Sequence, residues 1–156
     1  MNKGNLIYFG ALIFLLLAAL LIFLEQRKEN TSGLENVSVQ EAKKMIEKGD
    51  VFVLDVRTPD EFNSSHIKEA TLIPVSNAFG SNLSSDSLLK TRIDEVPKKK
   101  ILVYCKTGRR SDTASIMLVN AGYSQVYNMV GGITAWIDAG YPVVSSEDTE
   151  AEGSQN

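Results

Sequence analysis

The sequence predicts an α/β domain with a central, mostly parallel sheet, and three observations indicate this fold. Short apolar runs of strand length alternate with helix-length segments between residues 36 and 144. Two of these runs, Val51–Leu54 and Ile101–Tyr104, are continuously apolar, as in strands buried on both faces of a sheet. The whole segment, about 110 residues long, is an ordinary size for one hydrophobic core.

The elements of this domain follow one another at short spacings. Ser38 is a suitable N-cap, and Glu41 three residues later completes a capping box for the first helix, which ends at Gly49. After the strand at Val51–Leu54, we predict a helical turn at 60–62, a strand at 70–73, a helix at 84–95, a strand at 101–104, a helix at 110–121, a strand at 125–127 and a helix after Gly131-Gly132. This alternation indicates a sheet with helices on its faces.

The segments outside the domain have different compositions. Residues 6–24 carry no charged side chain, and at about 1.5 Å per residue they span roughly 28 Å, close to the hydrocarbon thickness of a bilayer. They run directly into a polar, charged segment without a small-residue cleavage site, so we expect an uncleaved single-pass transmembrane helix in the cell membrane. The remaining segments are a short N-terminal tail at 1–5, a linker at 25–35 and a disordered acidic tail at 145–156.

The charge distribution excludes one class of partner. The net charge is −3, but residues 35–144 carry thirteen acidic and thirteen basic side chains, and the excess acid lies in the C-terminal tail. Without a basic excess, we expect no nucleic-acid partner. Basic groups flank residues 6–24 on both sides, so the positive-inside rule leaves the orientation open, with a slight preference for an extracytoplasmic domain.

The only cysteine, Cys105, lies between a predicted strand and a predicted helix. Ligands of open α/β sheets bind at the carboxyl ends of strands. A helix N-terminus and nearby cations favour thiolate over thiol. We therefore predict that Cys105 is a catalytic nucleophile rather than a small buried hydrophobe.

The six residues after the cysteine provide the surroundings that a thiolate needs. They are Lys106, Thr107, Gly108, Arg109, Arg110 and Ser111. Gly108 permits the backbone angles of a tight cradle, and the successive N–H groups of the loop are expected to form an anion-binding nest around the sulfur. Ser111 is expected to cap the following helix or to donate to the sulfur.

Four stretches together resemble a known family. They are Asp55-Val56-Arg57; Glu61-Phe62 with His66-Ile67 and Ile73-Pro74; Tyr104-Cys105 with Gly108 and Arg110-Ser111; and Gly131-Gly132 with Trp136. In this order they resemble a single rhodanese domain over residues 36–144. The resemblance implies a five-stranded, rhodanese-like sheet and a thiosulfate-type sulfurtransferase. In such an enzyme a thiolate takes sulfane sulfur from a donor, becomes a persulfide and passes the sulfur to an acceptor.

The resemblance also implies roles for individual residues. Lys106, Arg109 and Arg110 are candidates for docking a small sulfur anion, and Arg110 matches the family pattern best. Asp55 and Arg57 are expected to pair at a strand end and support the loop. Neither a metal nor a cofactor is implied, and the acceptor is a thiol, a thioredoxin-like protein or a cyanide-type nucleophile.

Two further features concern the turn before the second predicted strand, at 70–73. His66, the only histidine, is expected to pack rather than to act as a base for Cys105, although a Cys–His pair is a known catalytic dyad. The chain departs from the family at Ser65 and Glu69, where glycine is usual, so the shape of this turn remains open.

Other functions are compatible with parts of the pattern. A related phosphatase or arsenate reductase has arginine at the sixth position after its cysteine, but here that position is Ser111, and Arg110 comes one residue early. A persulfide carrier, or an interaction module without significant turnover of small molecules, remains an alternative.

Overall fold

The computed structural model describes residues 12–21, 33–75 and 87–146, and the chain divides into two compact units, Met1–Ser32 and Gly33–Asn156. In the first unit, residues 12–21 are helical (α1) and most of their apolar side chains are exposed. Among the described residues, no helix has both the length and the apolar character needed to cross a bilayer. Of the predicted transmembrane segment 6–24, the structure describes residues 12–21, and the rest of that segment and residues 1–5 lie outside the described residues.

The second unit is built on a five-stranded parallel sheet. Its elements are β1 (Leu34–Val37), α2 (Val39–Glu47), β2 (Val51–Asp55), α3 (Pro59–Ser64), β3 (Thr71–Leu72), α4 (Leu88–Thr91), a 3-10 turn (Ile93–Glu95), β4 (Lys100–Tyr104), α5 (Arg109–Asn120), β5 (Val126–Met129) and α6 (Gly132–Asp138). The strand order is β1-β5-β4-β2-β3, and every pairing is parallel. The predicted α/β fold and its five-stranded parallel sheet are confirmed.

The two faces of the sheet bury separate apolar clusters. On one face, Val103 and Leu54 pack with Ala114 and Leu118 of α5. On the other face, Leu102 and its neighbours pack with residues of α2 and α6, including Trp136. Because successive side chains of β4 point to opposite faces and both faces are covered, this strand is apolar along most of its length.

Two helices begin with the same capping arrangement. At α2, the Ser38 hydroxyl accepts from the Glu41 amide, and Glu41 accepts from the Ser38 amide, as predicted. At α3, Thr58 and Glu61 form an equivalent capping box, and Pro59 occupies the first turn, where a missing N–H costs nothing. These two boxes have the same chemistry in different surroundings.

Two predicted elements differ from the structure. The predicted linker 25–35 includes Leu34 and Glu35, but these residues belong to β1. Among the described strands β1 pairs with β5 alone and buries only Val37, so its sequence lacks an apolar pattern. The rest of that linker, up to residue 32, lies outside the described residues, as do residues 147–156 of the predicted tail.

The predicted helix at 84–95 is the second difference. The Ser87 side chain caps the four-residue helix α4, and the chain leaves helical geometry at Arg92 before the 3-10 turn. Two short turns therefore occupy residues 88–95, and residues 84–86 lie outside the described residues.

Glu69 is the one described residue other than glycine with a positive φ, at 67°. The left-handed conformation costs about 1–2 kcal/mol for a side chain with a Cβ. Glycine avoids this cost but loses about 0.5–1 kcal/mol in backbone entropy. We therefore expect Glu69→Gly to have a free energy of unfolding about 0.5–1 kcal/mol higher than Glu69→Ala, since both remove the carboxylate and only glycine removes the Cβ. Urea denaturation of the two variants measures the difference, and equal stabilities would contradict this account.

Candidate active site

Cys105 lies directly after β4 and is buried, with 1% of its surface exposed. Its sulfur accepts a hydrogen bond from the Gly108 amide, with N and Sγ 3.2 Å apart. Among the described residues this is the one amide that donates to the sulfur, whereas the sequence interpretation expected several amides between Lys106 and Ser111. The cradle is therefore built around a single N–H donor.

Gly108 makes the tight turn possible. Its φ is 101°, a value that residues with a side chain rarely adopt, and it serves as the N-cap of α5. Ser111 does not cap this helix; its hydroxyl donates to the Gly108 carbonyl at 3.0 Å. Ser111 therefore stabilises the turn and forms no hydrogen bond with the sulfur.

Helix α6 holds the backbone at the cysteine. The Ile133 amide donates to the Cys105 carbonyl at 2.9 Å, and the Thr134 amide donates to the Lys106 carbonyl at 3.1 Å. A Cβ on Gly132 would lie 2.4 Å from the Cys105 oxygen and 2.6 Å from the Lys106 oxygen. The absence of a side chain at this position therefore permits the close approach of α6 to the loop.

The three cations of the loop have different surroundings. Lys106 and Arg109 are exposed, and neither forms an ion pair with a described residue. Arg110 is partly buried and forms a two-pronged ion pair with Glu61: Nη1 donates to Oε2 and Nη2 to Oε1, each at 2.8 Å. The hydrogen bonds with Glu61, and to a smaller extent the neighbouring Cys105 sulfur, raise the pKa of Arg110, although partial burial opposes the shift.

Glu61 also belongs to the capping box of α3. Its Oε2 accepts from the Thr58 amide at 3.1 Å and from the Thr58 hydroxyl at 3.2 Å. Burial alone would raise the pKa of Glu61, but Arg110 and the Thr58 amide lower it to about 2. Glu61 is therefore ionised near neutral pH.

Asp55 and Arg57 form a buried ion pair at the end of β2. Arg57 Nη2 and Nε donate to Asp55 Oδ2 at 2.6 and 2.9 Å, and Nη2 also donates to the Ser65 carbonyl at 2.7 Å. Burial opposes the charge of Arg57, but the Asp55 carboxylate outweighs it and raises the pKa of the guanidinium. The guanidinium lies 5.6 Å from the centre of the Tyr104 ring, next to Cys105 in the chain, so the pair supports the strand that carries the cysteine.

His66 packs in the turn after α3. Its Nδ1 lies 2.9 Å from the Phe62 carbonyl oxygen, and its ring stacks on Phe62 with centroids 3.8 Å apart. Its backbone forms a bridge with Val144. None of these contacts involves Cys105, so the geometry agrees with a packing histidine and not with a base.

Two features of the site were not predicted from the sequence: the pairing of Glu61 with Arg110, and the backbone amides of α6 that hold the loop. Thr58-x-x-Glu61 has the pattern of a capping box, which is a local signal, but nothing in the sequence indicates that the same carboxylate reaches residue 110. The roles of the Ile133 and Thr134 amides also depend on contacts between elements that are distant in sequence.

Comparisons with known proteins agree on one family. The family model described as the rhodanese-like domain matches residues 38–139 of the sequence. Protein HIGH ARSENIC CONTENT 1, a mitochondrial protein of Arabidopsis thaliana, is 37% identical over 121 residues, which cover 75% of this chain and 70% of that protein. Thiosulfate sulfurtransferase 18 of the same plant is 34% identical over 117 residues, covering 72% and 85% of the two chains. The crystal structure of a rhodanese-related protein from Thermoplasma volcanium aligns with a TM-score of 0.59 at 31% identity, covering 70% and 97%.

The close approach at Gly132 leads to a prediction about the loop. Gly132→Ala places a methyl group against the Cys105 and Lys106 carbonyls, so we expect it to lower the free energy of unfolding by about 2 kcal/mol or more. Gly140→Ala is the matched control, because Gly140 also has a positive φ, 75°, but has open space around its Cβ position. The control is expected to cost about 1 kcal/mol. Chemical denaturation measures both, and equal losses would show that the contact with the loop is unimportant.

The ion pair of Glu61 predicts a pH dependence of stability. A carboxyl whose pKa falls from 4.5 in the unfolded chain to about 2 in the folded one stabilises the fold above pH 4.5, and the contribution disappears as the pH falls towards 2. Because the Glu61 side chain is only 14% exposed, solvent screens the effect weakly. We expect the stability advantage of the wild type over Glu61→Gln to shrink by about 2–3 kcal/mol between pH 5 and pH 2. Urea titrations at these pH values measure it, and a constant difference would contradict the prediction.

Proposed function

The chain belongs to the rhodanese-like family, and from this premise we propose that it is a sulfurtransferase in which Cys105 carries sulfur as a persulfide. The observation that carries the proposal is the position of Cys105: a lone thiol at the carboxyl end of a central parallel strand, with the Gly108 amide on its sulfur. Names of relatives, such as thiosulfate sulfurtransferase 18, support this class of reaction.

In the proposed reaction, the Cys105 thiolate attacks the sulfane sulfur of thiosulfate. A new sulfur–sulfur bond forms, the sulfur–sulfur bond of the donor breaks, and sulfite leaves with the electron pair of that bond. An acceptor, either a thiolate or cyanide, then attacks the outer sulfur of the persulfide and releases the Cys105 thiolate. Both steps exchange one nucleophile for another, so neither requires a metal or a cofactor.

The side chains of the loop have separate tasks in this proposal. The exposed Lys106 and Arg109 attract the anionic donor, because neither has a described carboxylate partner that neutralises it. The Gly108 amide and Arg110 stabilise the negative charge on sulfur. Thr107 is exposed at the loop surface, and we include it among the residues that a docked donor would contact.

We also propose that residues 6–24 anchor the protein in the cell membrane, with the domain on the extracytoplasmic side. The support is the uninterrupted apolar sequence and its length. Under this proposal the acceptor is a thiol compound or a thioredoxin-like protein at the membrane surface.

A carrier that delivers sulfur to one protein partner is the nearest alternative, since it uses the same persulfide. A phosphatase or arsenate reductase is less well supported, although one Arabidopsis relative has arsenic in its name. Arg110 is one position early for that chemistry and is engaged with Glu61, and Ser111 takes the expected place.

The proposal predicts a change of mass. After incubation with thiosulfate, the intact protein is expected to gain about 32 Da, the mass of one sulfur atom, and Cys105→Ser is expected to gain nothing. Mass spectrometry of the intact protein, followed by cyanide treatment that restores the original mass, measures this. If the wild type keeps its mass and hydrolyses p-nitrophenyl phosphate, the phosphatase alternative replaces the proposal.

A further inference from the structure

Glu61 lies outside the cysteine loop, yet its carboxylate is bonded to a residue of that loop. We propose that Glu61 is a positioning residue, which holds the Arg110 guanidinium beside the Cys105 sulfur so that the anionic forms of the sulfur are stabilised. This inference rests on the proposed sulfur transfer and deepens it, because it assigns a role to a residue that does not itself contact the donor.

The geometry of the ion pair fixes the orientation of the guanidinium. Arg110 offers two nitrogens to the two oxygens of Glu61, each at 2.8 Å, and such a fork restricts rotation of the planar group. Arg110 belongs to the first turn of α5, two residues after Gly108, whose amide bonds the sulfur. The fork engages Nη1 and Nη2 and leaves Nε–H for other acceptors. The pKa of Arg110 is raised mainly by Glu61 and to a smaller extent by Cys105, which agrees with this place of the guanidinium in the loop.

Glu61 is itself held in place, so it can serve as a fixed point. Thr58 donates to its Oε2 through both the backbone amide and the hydroxyl. The far end of α3 is tied down as well, because Arg57 donates to the Ser65 carbonyl while it is paired with the buried Asp55. A mobile side chain would gain little by pairing with Arg110, but this carboxylate sits on a short helix fastened at both ends.

The ion pair also indicates different roles for the three cations of the loop. A docked donor meets Lys106 and Arg109 first, because both are exposed, whereas Arg110 is partly covered and already engaged. Arg110 is therefore not suited to move with the donor as it binds or with the product as it is released. It is held instead in the first turn of α5, directly after the turn whose amide bonds the sulfur, where it can stabilise the thiolate before the transfer and the persulfide anion after it.

The experiment compares Glu61→Gln with a matched control in the same chain. Glutamine is an accepted residue for the third position of a capping box, so helix α3 is expected to survive the change. Glu41→Gln is the control, since Glu41 occupies the equivalent position in the box of α2, accepts from Ser38 in the same way and is exposed. If weaker capping alone lowered the reactivity of Cys105, the decrease would therefore appear in both variants.

The main measurement is the rate at which iodoacetamide alkylates Cys105 in the full-length protein at pH 7, which does not depend on any sulfur donor. We expect Glu61→Gln to react about tenfold more slowly than the wild type and Glu41→Gln to react at the wild-type rate. The sign is informative: removal of a negative charge near the sulfur would by itself speed the reaction, so a slower reaction indicates that Arg110 has moved away. An unchanged or faster reaction would overturn the inference.

A double-mutant cycle tests whether Glu61 acts through Arg110. In the Arg110→Met background, Glu61→Gln is expected to change the alkylation rate by less than about twofold, because the group that it positions is already absent. A further tenfold loss in that background would overturn the inference.

Single-turnover formation of the persulfide from thiosulfate separates this inference from the proposed function. Slow alkylation of Glu61→Gln, together with a wild type that gains no sulfur, would support the positioning role and overturn the proposed reaction. Equal alkylation of all three proteins, with normal loading of sulfur, would do the reverse.

Discussion

Two backbone hydrogen bonds, from the Ile133 and Thr134 amides to the Cys105 and Lys106 carbonyls, fix the position of the cysteine relative to the sheet. They exist because Gly132 lets helix α6 approach within a distance that any side chain would prevent. With its carbonyls held from this side, the loop can turn at Gly108 and return one amide to the sulfur. The arrangement of the other groups in the loop depends on this docking of the α6 N-terminus onto the end of β4.

A second set of polar contacts connects β2 and α3 to the cysteine loop. The buried pair of Asp55 and Arg57 stands at the end of β2, which neighbours β4 in the sheet, and Arg57 reaches the end of α3. Helix α3 in turn presents Glu61 to Arg110. Ionised groups that are removed from water need partners. Here the Glu61–Arg110 pair joins α3 to α5, and the bond from Arg57 to the Ser65 carbonyl joins the end of β2 to the end of α3.

Much of this architecture is predictable from the sequence, because its signals are local. The apolar run of β4, the Ser38 capping box and the glycine pair at the start of α6 each reflect the conformation of a few adjacent residues. The edge strand β1 escaped prediction because only Val37 is buried and its pairing with β5 involves residues far away in the chain. The helix expected at 84–95 was overestimated because Leu88, Leu89 and Ile93 have helical spacing, although the chain breaks at Arg92.

The candidate site shows the same division. The cysteine, the glycine and the cations of the loop could be selected from composition and order alone, but their individual environments could not. The pairing of Arg110 with Glu61 joins residues 49 positions apart, and the single amide on the sulfur reflects how the loop turns, which local preferences do not determine.

Cys105 is the only thiol in the sequence. Under the proposed reaction, a sulfur atom bound to Cys105 could be passed only to an acceptor outside the chain, so donor and acceptor would react at the same sulfur in turn and the two half-reactions would follow ping-pong kinetics.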